Sequence, residues 1–170
     1  MIFFDKYCLR ALEPSDLEAL YFWENKQSSY NNHEQFYSRY TLSNYIEQAH
    51  QSLIEAKQFR FVVSLKDKLD VCIGFIDLVD YDIMHQRLEV GILIDSKYRG
   101  QSIAKRGLLE VEQYVKNVFQ VQQVYCYVEL ENVISLKLFE SLNYKKVGIL
   151  EKWRRYDDQW NDCVFLQKIL

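Results

Sequence analysis

The spacing of apolar positions changes along the chain, and each change predicts an element. Residues 6–12, KYCLRAL, read as a short strand. Behind Pro14, Ser15 and Glu18 form a capping-box pair, and Leu17, Leu20 and Tyr21 follow at helical spacing, so a helix begins here. In residues 41–57, Leu42, Tyr45, Ile46, Ala49, Leu53 and Ala56 fall on one stripe and predict a second helix. The intervening SSYNNHEQFYSRY, residues 28–40, is polar and aromatic. Three strand-like blocks follow, FRFVVSL, VCIGFIDLVD and QRLEVGILI, and they predict consecutive antiparallel strands.

Ala104, Gly107, Leu108, Val111, Val115 and Val118 trace a long amphipathic helix, and QVYCYVEL after it alternates as a strand. Strand, loop, helix and strand in that order make a crossover unit, which predicts parallel neighbours. A short helix over 132–142 ends at Asn143, a residue tolerated in the left-handed cap. Strands over 144–156 and 161–170, around the turn DDQW, close the chain. The pattern is α+β: a mixed, mostly antiparallel sheet of about seven strands with helices on both faces.

Composition narrows the reading. The 170 residues are 49% apolar and 15% aromatic, enough for one core, and one proline and five glycines leave little room for a linker. A single domain spanning 1–170 is expected. A net charge of −3, without a Lys/Arg cluster, argues against nucleic acid or a membrane surface as partner and favours a small or cationic one. No signal-peptide h-region and no bilayer-length apolar run are present, so a cytoplasmic protein is expected. Cys8, Cys72, Cys126 and Cys163 lack CxxC spacing and lie in strand-like segments, as reduced core thiols would. His33, His50 and His85 are equally dispersed, and no metal site is expected.

YRGQSIAKRGL, residues 98–108, carries the candidate chemistry. A loop that leaves a strand and opens a helix directs unpaired N–H groups and the helix dipole at whatever lies in front of it, which suits an anion. Gly100, Ser102 and Ala104 are the small residues that would let a phosphate approach. Neither GxxxxGK[ST] nor GxGxxG with a ribose-binding acid is present.

The longer run RLEVGILIDSKYRGQSIAKRGL resembles the cofactor motif of the GNAT N-acetyltransferase superfamily, [QR]-x-x-G-x-[GA], with Arg99, Gly100, Gln101, Ser102, Ile103 and Ala104 in the pattern. ENVISLKLFESLNYKKVGI is similar to its second signature, with Asn132 and Ser135 in register and Asn143 in place of a glycine. CLRALEPSDLEALYFWEN and KWRRYDDQWNDCVFLQ resemble the spermidine and ribosomal-protein N-terminal acetyltransferase branches. The resemblance implies the acyl-CoA N-acyltransferase fold, acetyl-CoA as co-substrate and a small-molecule amine or peptide N-terminus as acceptor. A CoA-binding module with little catalysis is the alternative. An exposed sheet edge or the aromatic N-terminal helices offer routes to a homo-oligomer.

The same resemblance implies roles. Ile92, Leu93 and Ile94, on the strand before the loop, would contact the cofactor, a backbone N–H within 91–94 polarising the carbonyl. Asn132 and Ser135 would contact it from the second signature. Glu89 would be the general base or grip a cationic substrate. The tyrosine of many spermidine acetyltransferases is Phe139 here, which cannot donate a proton, so Ser135 or Tyr127 becomes the candidate acid. Ser102 in the glycine position implies altered cofactor affinity, with a steric penalty if its φ is positive. The acceptor would enter between residues 28–40 and the last hairpin. Glu24, Glu34, Asp77, Asp80, Asp82 and Glu89 would make a cation-attracting mouth.

Overall fold

The computed structural model describes residues 1–25, 36–48, 52–156 and 158–170. Its sheet has eight strands: β1 (Ile2–Phe4), β2 (Tyr7–Ala11), β3 (Phe59–Leu65), β4 (Lys68–Asp82), β5 (Arg87–Ile94), β6 (Gln123–Glu129), β7 (Lys145–Tyr156) and β8 (Gln159–Ile169). Their spatial order is β1-β2-β3-β4-β5-β6-β8-β7. All neighbours are antiparallel except β5 and β6, the pair joined by the crossover. The helices are α1 (Leu17–Glu24), α2 (Arg39–Gln48), α3 (Leu53–Ala56), α4 (Ile103–Phe119) and α5 (Val133–Glu140).

Both faces of the sheet are covered. On one, Ile76, Leu78, Leu88, Val90 and Val124 pack against Leu108, Val111 and Val115 of α4. Gly107 allows this approach, since a Cβ there would stand 3.0 Å from the Ile76 methyl. On the other face, Val62 and Phe75 meet Leu20 and Trp23 of α1 and Leu42 and Ile46 of α2. Alternation along β4 therefore feeds two cores from one strand.

The sheet exceeds the expected seven strands by β1, which pairs with β2 through three residue pairs. The predicted helix over 41–57 is two helices. Ser52 is extended, at φ −64° and ψ 156°, and its Oγ accepts from Glu55 N to start α3 afresh; Ala49 lies outside the described residues. The Ser15–Glu18 capping box does not form either. Asp16 takes that role, accepting from Glu13 N at 2.9 Å and from both Arg10 Nη atoms at 2.7 Å, while Glu18 pairs with Arg39. The Arg10–Asp16 pair is buried, with 6% and 2% exposure. All four cysteines are free thiols. Among the described residues, no helix is long and apolar enough to cross a membrane, and no acidic, His or Cys cluster is placed to hold a metal ion.

Candidate active site

β5 and β6 pair only at Arg87–Gln123, Leu88–Val124 and Glu89–Tyr125, then diverge. The edge of β5 beyond Glu89 thus has no ladder partner on the β6 side, and its backbone groups face the gap. A cavity of about 880 Å³ occupies this fork. It is lined by Val90 to Ile94 from β5, by Tyr127 from β6, by Asn132 at the cap of α5 and by Ser135 and Phe139 from α5. Because neighbouring residues on a strand point to opposite faces, the cavity reaches both faces of the sheet. Ile92, Ile94, Cys126 and Val128 belong to the α4 side, and Glu89, Gly91 and Tyr127 to the other.

The loop before α4 forms one end of this space. Gly100 has φ 76°, and a Cβ there would meet nothing within 4 Å. Ser102, the residue preceding α4, is also left-handed, at φ 60° and ψ 11°, and its hydroxyl makes no capping bond. The first helical bond runs from Arg106 N to the Ser102 carbonyl at 3.0 Å, so the earlier N–H groups project from the helix end. Arg99, Gly100, Ser102, Ile103 and Ala104 line the cavity, and Arg99 Nε is tied to the Ile94 carbonyl at 2.9 Å. Gln101 turns away. Its side-chain amide oxygen accepts from the Tyr7 hydroxyl at 3.0 Å, and the residue is absent from the cavity lining.

Glu89 is half-buried, and its carboxyl is pushed up to about 7, chiefly by burial, with Arg154 opposing and Asp80 adding to the rise. Among the described residues its carboxylate makes no hydrogen bond. Tyr127 is stacked between Phe165 (5.1 Å) and Trp153 (5.7 Å), and burial raises its phenol above the usual value, with Glu89 reinforcing the shift. Asn132 caps α5 by accepting from Ser135 N at 3.2 Å while also lining the cavity. The Ser135 hydroxyl has no hydrogen bond among the described residues. Phe139 presents a buried ring to the cavity, its edge against Tyr144 at 5.0 Å.

The acidic mouth is smaller than the sequence predicts. Glu24 and Asp77 line the cavity, but both are bound to Arg60. Asp80 and Asp82 do not line it. The β4 bulge between Val79 and Asp82 turns them aside, where Asp82 pairs with Arg87 and accepts from His85 N. Glu34 and most of 28–40 lie outside the described residues. The last hairpin contributes two cations, Arg154 and Arg155, and Arg154 stands 3.6 Å from Glu129.

A family model described as an acetyltransferase (GNAT) domain matches residues 6–145. The chain belongs to the GNAT acetyltransferase family. Spermidine N(1)-acetyltransferase of Escherichia coli K12 is 27% identical over 168 residues, covering 95% of this chain and 87% of that protein. The enzyme of the same name from Vibrio cholerae is 24% identical over 153 residues, covering 84% and 80%. The crystal structure of the Vibrio cholerae spermidine N-acetyltransferase with CoA and spermine superimposes with a TM-score of 0.84 at 21% identity, over 96% of this chain and 95% of that one. Ribosomal-protein-S5-alanine acetyltransferase from Vibrio fischeri gives 0.80 at 22% identity, over 99% and 95%.

As a GNAT acetyltransferase the chain uses acetyl-CoA as its acyl donor. The sequence points to the loop and to β5, which line this cavity, but not to Arg60, Glu129 and Arg154, which line it too. The one available signal for Arg60 was its position two residues before Val62, on the inward face of FRFVVSL.

Proposed function

We propose that residues 1–170 act as one N-acetyltransferase domain that transfers the acetyl group of acetyl-CoA to a small primary amine of the polyamine class, such as spermidine. The observation that carries this reading is Glu89, a half-buried carboxyl pushed up to about 7, in the same cavity as the exposed helix end of α4. The loop fits a pyrophosphate. Gly100 is open and left-handed, the N–H groups at the start of α4 point outward, and Arg99 and Lys105 add positive charge. Bound there, acetyl-CoA supplies a thioester acetyl group to the fork.

The chain's own groups divide the remaining work. Near neutral pH Glu89 is part carboxylate and takes the proton of the acceptor amine. Backbone N–H groups of β5 within 91–94 face the gap, where they polarise a carbonyl. Ser135 holds a proton for the departing sulfur, and its unbonded hydroxyl supports that assignment over Tyr127, whose ring is fixed between two aromatics. Ile92, Leu93, Ile94 and Asn132 form the wall along which the donor lies.

The polyamine class is supported by the names of the curated relatives. A cytoplasmic homo-oligomer is part of the proposal, because a spermidine N-acetyltransferase from Vibrio cholerae has been described as dodecameric. The test is calorimetric titration with acetyl-CoA, followed by mass spectrometry of spermidine incubated with both. Saturable binding and one added acetyl group are expected. Binding without product would leave only a CoA-binding module.

A further inference from the structure

A guanidinium stands between two carboxylates on the wall of the cavity. Arg60 rises from β3 and donates through Nε and Nη2 to both oxygens of Asp77 on β4, at 2.5 and 3.2 Å. Its Nη1 donates to Glu24, the last residue of α1, at 2.5 Å. Side-chain exposure is 17% for Arg60, 19% for Glu24 and 30% for Asp77, and all three line the cavity that holds Glu89. Phe75 and Tyr45 close over the guanidinium, their ring centres 5.1 and 5.7 Å away. Burial opposes the charge on Arg60, but Asp77, Tyr45 and Glu24 outweigh it and hold the group protonated. Two negative charges and one positive charge leave this trio with one net negative charge.

Strand register relates the trio to Glu89. Asp77 is directly opposite Gly91, and Glu89 is opposite Val79, so Asp77 and Glu89 share a face. As diagonal neighbours their backbones lie about 7–8 Å apart. Gly91 stands beside that diagonal without a side chain, so nothing from β5 fills the space. A short alkyl chain spans such a gap.

We propose that Arg60 is a specificity-determining residue that limits the charge of the acceptor: beyond the amine that reacts at Glu89, the Glu24–Arg60–Asp77 trio rewards one distal ammonium and no more. The first distal ammonium neutralises the net charge of the trio, and the next meets a guanidinium with no carboxylate left over. Without Arg60 the same carboxylates would reward two. The inference rests on the amine-acetyltransferase reading, and its test separates the two.

Butylamine, diaminobutane and spermidine present zero, one and two distal ammonium groups. Each is assayed for kcat/KM by CoA thiol release and for affinity by calorimetry in the presence of CoA. Diaminobutane should exceed butylamine by on the order of tenfold to a hundredfold, the range of a charge-assisted hydrogen bond. Spermidine should stay within about fivefold of diaminobutane, as for an exposed charge. In Arg60→Met the spermidine-to-diaminobutane ratio should rise to about tenfold or more. That variant strips two carboxylates of their buried partner and loses stability, so Glu24→Gln with Arg60 in place is the second arm. There the advantage of diaminobutane over butylamine should collapse toward unity.

A merely structural Arg60 would lower all three amines by one factor and leave their ratios alone, which overturns the proposal. So would a wild-type preference for spermidine over diaminobutane of about tenfold. If no amine is turned over, the calorimetric ranking still decides the role of Arg60, and the acetyltransferase reading alone falls.

Discussion

Replacing Ser102 with glycine isolates the backbone's part in the anion loop. Ser102 sits at φ 60° without a capping bond from its hydroxyl, so nothing local offsets the left-handed conformation. A non-glycine residue there costs about 1–2 kcal/mol. Glycine avoids that cost but enlarges the unfolded ensemble by roughly 0.4–1 kcal/mol. The balance is a net stabilisation of about 0.5–1 kcal/mol, or about 1–4 °C in melting temperature for a chain of this size. Since the strain precedes the ligand, acetyl-CoA affinity in Ser102→Gly should stay within about threefold of wild type. Thermal melts and calorimetric titration of both proteins check these numbers. A lower melting temperature would refute the strain argument. An affinity loss of about tenfold would show instead that the hydroxyl itself holds phosphate.

The buried pair at the start of the fold predicts that Asp16→Ala, by leaving the buried Arg10 with two backbone carbonyls but without its carboxylate, costs about 3–5 kcal/mol in denaturant unfolding. Glu89→Gln should lower kcat by about 10²–10⁴-fold at neutral pH. The same substitution should change stability with a definite sign. Glu89 titrates at about 7 in the fold against an ordinary 4.5, so its contribution is fully present below 4.5 and is lost as pH rises through about 7. Glu89→Gln should therefore raise the melting temperature more on the alkaline side of that window than on the acid side. Ser135→Ala should lower kcat by about a hundredfold, and Tyr127→Phe by less than about tenfold, in steady-state assays.

What was legible in the sequence followed from period and order. A run such as QVYCYVEL alternates cleanly because β6 is half-buried on one face, and the crossover before it fixes its direction. β1 is only three residues long and too short to show a period. The false capping box at Ser15 arose because Asp16 is claimed by Arg10, a residue of the preceding strand, and no local motif encodes that pairing. Asn143, at φ 68°, took the left-handed position expected of it.

The candidate site divides along the same line. The loop from Arg99 to Ala104 is contiguous, so its small residues and its place ahead of a helix can be read from the sequence. The proposed acceptor end is assembled from partners 17 and 36 residues apart, Asp77 and Glu24 around Arg60. Counted alone, the acids resembled a mouth for cations. Counted with Arg60 they carry about half that charge. The raised titration of Glu89 likewise depends on burial at the fork, which appears only when β5 and β6 part company.

The most direct measurement is the pH dependence of CoA thiol release with acetyl-CoA and spermidine, for the wild type and Glu89→Gln side by side. The account predicts saturable turnover whose kcat/KM climbs through a midpoint of about 7, to which burial pushes up the Glu89 carboxyl, with that climb missing in the variant. Turnover that keeps the same midpoint and size without the Glu89 carboxylate would contradict it.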